Sequence, residues 1–203
     1  MKDGTVRARA HLSGGELAQA HAAGGGLRVM FDASALVQRY AAEVGHARVL
    51  ALMEQAEQVL LAAHCLSEVG AGLLRLRRDA CLAPAEFDRA WQAVQRDVAD
   101  MVRIPVDHHV ERFAFVAMER EPLRVTDALH LGSALVANVD LFVTADRHVA
   151  RLAGLLGLPS ECLDDEAHTS MRQAAPTSFG NSLSNLATPQ LVALTLKEAM
   201  VTR

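Results

Sequence analysis

Four acidic side chains have the type and the spacing to hold a divalent cation together: Asp32, Glu68, Asp127 and Asp146. Asp32 directly follows the apolar run 27–31, and Asp146 comes two residues after Thr144, which ends another predicted strand. Ligands of an open parallel sheet bind beyond the carboxyl ends of its strands, so we expect the four acids to converge on one rim. Their mutual repulsion requires a counter-ion, and oxygen ligands suit Mg²⁺ or Mn²⁺ rather than zinc.

Two of these acids are predicted to begin helices. Ser67 can cap a helix that runs from Glu68 toward Arg78, and Thr126 can cap a helix that starts at Asp127. The partial positive charge at a helix start eases the packing of carboxylates against one another. Taken singly, each of these acids is more typical of a helix cap, and only the combination of four indicates a site.

The elements that would position these acids alternate between strand and helix. The predicted strands are 27–31, 59–62, 102–106, 140–144 and 161–163. The predicted helices are 33–42, 45–58, 68–78, 85–101, 108–120, 127–137 and 146–156. This alternation predicts an α/β fold with a mostly parallel central sheet, right-handed crossovers and helices on both faces.

The chain divides into three parts by composition. Residues 1–27, rich in Ala and Gly, are predicted to be a flexible leader, and 28–164 to be the folded domain. Residues 165–203 are predicted to be a polar tail with a possible terminal helix from Thr188.

Composition limits the classes of function. The apolar stretches fall short of the ~20 residues that a membrane-spanning helix needs. Three cysteines form an odd number without metal-type spacing, which is typical of reduced thiols, so we expect a cytoplasmic protein. The net charge of −4 argues against binding nucleic acid through bulk electrostatics.

The residues around the four acids resemble those of the PIN-domain nucleases. The segments Met30–Val37, Leu66–Val69, Thr126–Leu131 and Phe142–Arg147 follow that family in order and spacing. The resemblance spans about residues 28–164 and is closest to the VapC-type toxins of toxin–antitoxin pairs. It implies a PIN-like three-layer α/β/α fold.

The same resemblance implies an activity. Asp32, Glu68, Asp127 and Asp146 match acids that bind one or two Mg²⁺ (or Mn²⁺) ions, and Ser34 and Thr144 match small polar residues that support the site. The implied function is a divalent-metal-dependent endoribonuclease that hydrolyses RNA phosphodiester bonds as the toxin of a type II toxin–antitoxin pair. The implied partners are RNA, a cognate antitoxin protein and a second copy of the chain.

Three further side chains are candidates near this site. Arg75, seven residues after Glu68, and Arg147 are weak candidates for contacts with RNA phosphates. His130 lies one turn after Asp127 on the same helix face, and we expect it to orient a carboxylate or a backbone group. The apolar helices after Gly45 and Pro84 suggest extra hydrophobic surface for a homodimer.

Three alternative functions stay open or are disfavoured at this point. A PIN nuclease in RNA processing, without toxicity, is also compatible with the sequence. A catalytically silent PIN binding module is disfavoured because it has no need for four converging acids. A haloacid-dehalogenase-type phosphohydrolase would need an aspartate where Ser34 stands and a core lysine, whereas Lys2 and Lys197 are the only lysines.

Overall fold

The computed structural model describes residues 26–41 and 44–163. The strands in these ranges are β1 (Arg28–Phe31), β2 (Gln58–Ala62), β3 (Val102–Ile104), β4 (Leu141–Thr144) and β5 (Ser160–Cys162). The helices are α1 (Ala33–Tyr40), α2 (His46–Gln55), α3 (Cys65–Arg78), α4 (Pro84–Val98), α5 (His108–Arg120), α6 (Val125–Ala137) and α7 (Arg147–Leu155). The predicted tail, and all but the last two residues of the predicted leader, lie outside the described ranges.

The five described strands form one sheet in the order β3-β2-β1-β4-β5, and every pair of neighbours is parallel. The chain leaves β1 toward one edge and later returns to add β4 and β5 on its other side. The strand order therefore reverses between β1 and β4, which is where doubly wound sheets bind their ligands. The predicted α/β fold with a parallel sheet is confirmed.

Alternate residues of each central strand face opposite layers of helices. Val29 and Phe31 of β1 pack into a core with α1 to α4, whereas Met30 packs into a second core with α5 to α7. Leu61 and Leu60 of β2 divide between the two cores in the same way. Because successive side chains of a strand point to opposite faces, this pattern gives the three-layer α/β/α architecture.

Helices α2 and α4 bury their apolar sides within this chain. Val49 and Leu52 of α2 are fully buried, and Val94 of α4 is fully buried as well. Other apolar side chains of these helices, among them Met53, Phe87 and Trp91, are only partly buried, and the homodimer expected from these helices stays a prediction. None of the helices in the described ranges is long and apolar enough to span a membrane.

Two helices begin earlier than the sequence predicted. Helix α3 begins at Cys65, whose side chain is fully buried, and neither Ser67 nor any other side chain caps it. Helix α6 begins at Val125 without a side-chain cap, so Thr126 is not its cap either. Burial of Cys65, rather than a hydroxyl cap, accompanies the early start of α3. Glu68 and Asp127 nevertheless remain in the first turns of their helices.

Helix α6 is held against α5 by a close approach at Gly132. A Cβ atom at this position would lie 2.4 Å from the carbonyl oxygen of Val110, closer than real Cβ contacts. A glycine is therefore required for the two helices to pack in this way. This packing fixes the helix that carries Asp127 and His130.

Candidate active site

The carboxylate of Asp32 is held by three hydrogen bonds at the end of β1. Its Oδ1 accepts from the Ser34 hydroxyl at 2.7 Å and from the Ala35 backbone N–H at 2.8 Å. Its Oδ2 accepts from the Thr144 hydroxyl at 2.5 Å. The backbone N–H of Asp32 also donates to Val143 of β4 at 3.0 Å. Asp32 thus joins the ends of β1 and β4, where the strand order reverses.

Burial and hydrogen bonding act on Asp32 in opposite directions. The side chain is only 5% exposed, and this burial raises the pKa of Asp32 above its ordinary value. The charge of His130 and the hydrogen bonds from Thr144, Ala35 and Ser34 lower that pKa but do not cancel the effect of burial. The raised pKa therefore results from the loss of water, rather than from repulsion by the other acids.

Asp146 stands at the N-terminus of α7. Its Oδ1 accepts from the backbone N–H groups of His148 at 2.8 Å and Val149 at 3.3 Å, so Asp146 caps this helix. Its own backbone N–H donates to the Thr144 hydroxyl oxygen at 3.0 Å. The fully buried Thr144 hydroxyl therefore connects the backbone of Asp146 to the carboxylate of Asp32.

Glu68 is bound by two histidines. His130 donates from Nε2 to Glu68 Oε2 at 2.6 Å, and His64 Nε2 lies 3.5 Å from the same oxygen. Partial burial raises the pKa of Glu68, but hydrogen bonds from His130 and Thr126 and the charges of both histidines outweigh it, so that the pKa falls below its ordinary value. His130 is only 2% exposed and orients a carboxylate as expected, but that carboxylate belongs to Glu68 on α3 rather than to Asp127 on its own helix.

His64, Glu68 and His130 are the one group of three metal-type ligands in the described ranges whose ligand atoms all lie within 4.8 Å of one another. The Nε2 atom of His64 also lies 3.2 Å from the carbonyl oxygen of Thr126, which can only accept a hydrogen bond. The Nε2 atoms of both histidines therefore carry hydrogens that Thr126 and Glu68 accept. This arrangement holds Glu68 in place more readily than it ligates an ion.

Asp127 forms a bidentate pair with Arg124. The two bonds are Nε to Oδ2 at 2.8 Å and Nη2 to Oδ1 at 3.0 Å. The Arg124 side chain is 76% exposed, whereas that of Asp127 is 13% exposed. The guanidinium therefore covers a carboxylate that is otherwise mostly shielded from water.

The four predicted acids lie in one region, but they are joined through intermediate side chains. Asp32 and Asp146 share Thr144, and the charge of His130 acts on Asp32 as well as on Glu68. In the described chain, no three of the four carboxylates bring ligand atoms within 4.8 Å of one another. The acids therefore share the rim as hydrogen-bonded neighbours rather than as a closed cluster.

The two arginines predicted to contact RNA occupy different places. Arg75 is exposed on α3, and the helical rise of about 1.5 Å per residue puts it about 10 Å along the axis from Glu68. Arg147 is exposed in the first turn of α7, directly after Asp146. Arg147 is thus the better positioned of the two for a substrate at the rim.

Arg124 and His64 contact the predicted acids but were not among the residues that the sequence indicated. Arg124 stands three residues before Asp127, and His64 stands four residues before Glu68. Residues three or four apart face one another on a helix, so this spacing could have revealed both pairs. Arg124 and His64 lie before the predicted helices 127–137 and 68–78. The spacing of residues within those predicted helices therefore does not include them.

The donor set fits a hard divalent ion. A carboxylate has about four lone-pair sites, and the hydrogen bonds to Asp32 leave one on Oδ2. No hydrogen bond from a described residue reaches Oδ2 of Asp146. Each oxygen of Asp127 accepts one hydrogen bond, and both come from the cationic Arg124. Oxygen ligands at the rim therefore suit Mg²⁺ or Mn²⁺, and an ion at Asp127 would compete with the Arg124 guanidinium.

Comparison with known proteins identifies the fold family. The family described as "PIN domain" matches residues 29–155. This chain belongs to the PIN domain family. PIN domains are generally nucleases, and they typically use divalent metal ions. No curated protein matches the sequence significantly.

Solved structures share the fold of this PIN domain at low sequence identity. A toxin–antitoxin complex from Klebsiella pneumoniae matches with a TM-score of 0.50 and 14% identity, covering 66% of this chain and 97% of that one. VapBC2 from Rickettsia felis, bound to a promoter DNA fragment, matches with a TM-score of 0.50 and 13% identity over 67% and 98%. PAE2754 from Pyrobaculum aerophilum matches with a TM-score of 0.51 and 20% identity over 72% and 91%.

Proposed function

We propose that this PIN domain is a divalent-metal-dependent endoribonuclease and the toxin of a type II toxin–antitoxin pair. The observation that carries the proposal is the paired arrangement of Asp32 and Asp146 around the buried Thr144 hydroxyl, at the point where the strand order reverses. Glu68 and Asp127 stand in the first turns of two helices whose starts are linked by the contact from His64 to Thr126. Ligands of doubly wound sheets bind at this place.

The proposed ligands of Mg²⁺ or Mn²⁺ are Asp32, Glu68, Asp127 and Asp146. A divalent ion supplies Lewis-acid chemistry, because it withdraws charge from a phosphate oxygen and makes water a better nucleophile at neutral pH. Ser34 and Thr144 hold the Asp32 carboxylate through hydrogen bonds to Oδ1 and Oδ2, and Oδ2 keeps one lone-pair site for an ion. His130 orients Glu68 in a similar way.

The proposed substrate is RNA in the cytoplasm, and the proposed products carry 5′-phosphate and 3′-hydroxyl ends because water, not the 2′-hydroxyl, attacks. Arg147, exposed beside Asp146, is the proposed contact with the RNA backbone, and Arg75 a more distant one. Arginine suits this role because its planar guanidinium can bind a phosphate through two hydrogen bonds.

The proposed partners are a cognate antitoxin and a second copy of the chain. Two of the structural relatives are complexes of toxin–antitoxin systems, which supports an antitoxin for this chain. A PIN nuclease in RNA processing would have the same site without such a partner. An antitoxin gene beside this one, together with growth arrest on expression of the chain alone, would favour the toxin.

Cleavage of a labelled RNA by the purified protein tests the activity. Asp146→Asn keeps the shape and the helix cap but removes the charge, and we expect the rate of RNA cleavage to fall about 10²-fold or more, because an electrostatic contribution of a few kcal/mol is lost. EDTA should abolish cleavage, and Mg²⁺ or Mn²⁺ should restore it. Mapping of the RNA ends should give 5′-phosphates.

The matched control is Glu57→Gln, which removes one exposed acid directly before β2, at the amino-terminal end of the parallel strands and away from the site at their carboxyl ends. Its cleavage rate should equal that of the wild type. Cleavage that continues in EDTA would exclude the metal mechanism. A folded wild-type protein that cleaves no RNA in Mn²⁺ would instead favour a catalytically silent binding module.

A further inference from the structure

Asp127 is the one member of the proposed ligand set that already binds a cationic side chain through both oxygens. The Arg124 guanidinium lies 2.8 Å and 3.0 Å from the two oxygens, in the side-by-side geometry of a strong arginine–carboxylate pair. Asp127 is 13% exposed beneath this guanidinium. A divalent ion that uses Asp127 therefore competes with Arg124 for the same oxygens.

The charges of two more of the four acids also act on Arg124. Its pKa is raised first by the hydrogen bonds to Asp127 and by the charge of Asp127, and then by the charges of Asp146 and Glu68. The positive charge of Arg124 thus interacts with three of the four acids. This positive charge offsets part of the repulsion between the carboxylates.

The backbone that carries Arg124 is anchored by neighbouring residues, while its side chain is exposed and binds Asp127. Glu121, three residues earlier, pairs with Arg151 of α7 and lies 3.4 Å from His148 Nδ1. His148 Nε2 lies 3.2 Å from the carbonyl oxygen of Pro122. These contacts fix the segment between α5 and α6 against the start of α7. The Arg124 side chain is nonetheless 76% exposed, so it can rotate away from Asp127 without disturbing packing.

We propose that Arg124 is an exchangeable counter-ion of this site: it neutralises Asp127 until a divalent ion binds there, and then turns to bind a phosphate of the RNA. The proposal rests on the proposed nuclease function and adds a residue to it. Because the Arg124 side chain is 76% exposed, water screens its interaction with Asp127, and a doubly charged ion can replace the guanidinium at the carboxylate without breaking buried contacts of Arg124. A released guanidinium at the rim has the geometry for bidentate contact with a phosphate.

The two roles predict opposite effects of one substitution. Arg124→Gln removes the charge while keeping a polar side chain of similar reach. Isothermal titration of the full chain with Mn²⁺, without RNA, should show roughly three- to ten-fold tighter binding, because the competing cation is gone. The catalytic efficiency kcat/KM for a labelled RNA should fall about ten-fold or more, because a phosphate contact is lost.

Two further variants sharpen the test. Arg124→Lys keeps a positive charge without the planar fork, and it should lie between wild type and Arg124→Gln in both measurements. Arg89→Gln removes an exposed arginine from α4 and should change neither. Circular dichroism should confirm that all variants are folded.

Each outcome decides one part of the proposal. Unchanged or weaker Mn²⁺ binding by Arg124→Gln would overturn the counter-ion role. Tighter Mn²⁺ binding with unchanged or faster cleavage would overturn the phosphate contact. If the wild type cleaves no RNA, the proposed nuclease function and the phosphate contact both fail, while the Mn²⁺ titration still decides whether Arg124 competes for Asp127.

Discussion

Replacing Thr144 by valine should destabilise the protein through the site rather than through the core. Thr144 is fully buried, its hydroxyl donates to Asp32 Oδ2 at 2.5 Å, and its oxygen accepts from the Asp146 backbone N–H at 3.0 Å. Valine has nearly the same shape, so Thr144→Val removes both hydrogen bonds while leaving the space filled. Any loss of stability then measures the polar contacts.

The expected loss follows from the two contacts. A hydrogen bond to a charged group contributes about 1.5–3 kcal/mol, and a buried N–H without an acceptor costs about 1–3 kcal/mol. Because the two contributions overlap, we expect the free energy of unfolding to fall by about 2–4 kcal/mol at neutral pH. In an Asp32→Asn background the same substitution should cost about 1 kcal/mol less, since the hydrogen bond no longer involves a charge.

The loss should also depend on pH. Burial raises the pKa of Asp32, and the hydrogen bond from Thr144 lowers it. Removal of this hydrogen bond should therefore raise the pKa of Asp32 further. A carboxyl with a higher pKa in the folded state than in the unfolded state binds protons more readily when folded. Stability therefore falls as the pH rises through the folded-state pKa. The cost of Thr144→Val should be largest above that pKa and should shrink in acid, where Asp32 is protonated.

Urea unfolding of the wild type, Thr144→Val and Thr144→Ser at neutral and acidic pH measures these differences. Thr144→Ser keeps the hydroxyl and should recover most of the polar contribution. A cost for Thr144→Val below about 0.5 kcal/mol, the level of an ordinary surface substitution, would refute the network. An equal cost at both values of pH would show that the lost contact does not involve the Asp32 charge.

Two other predictions concern Glu68 and assembly. His130→Asn should weaken Mn²⁺ binding about 10- to 100-fold in a calorimetric titration, because His130 is the main hydrogen-bond partner of Glu68. Loss of a residue that orients a metal ligand has effects of this size. An unchanged affinity would show that His130 does not orient Glu68 for metal binding. Light scattering at micromolar concentration should give twice the chain mass of 21.8 kDa. A stable interface between two copies buries about 1,600 Å² in total, which would hold the dimer together at this concentration. The mass of one chain would contradict the homodimer.

The sequence predicted the strands that carry the site because those strands are buried on both faces. The predicted runs 27–31 and 140–144 differ from β1 and β4 by one residue at their starts. Strands covered by helices on both sides are apolar at most positions, and the apolar residues Val29–Phe31 and Leu141–Val143 are each followed within three residues by one of the acids. The positions of Asp32 and Asp146 in the fold follow directly from this pattern.

The starts of α3 and α6 could not be predicted in the same way. Ser67 and Thr126 have the preferred chemistry of helix caps, but neither accepts a capping hydrogen bond from its helix. The capping preference is worth only about 1 kcal/mol, which burial of an apolar residue at the helix start can outweigh at α3, whereas Val125 at the start of α6 is 60% exposed and gains no such burial. Cys65, fully buried at the start of α3, illustrates that effect.

The repulsion of the four acids was predicted to require a metal ion as counter-ion, but each acid also has a partner within the chain. Asp32 accepts three hydrogen bonds, Asp146 caps α7, Glu68 accepts from His130, and Asp127 pairs with Arg124. These partners differ in how strongly they compete with a metal ion for the carboxylate oxygens. Asp32 and Asp146 each keep an oxygen lone pair that accepts no hydrogen bond from a described residue, whereas both oxygens of Asp127 already bind the cationic Arg124. Metal binding at this rim is therefore opposed by one surface salt bridge and supported by the buried hydrogen bonds beneath it.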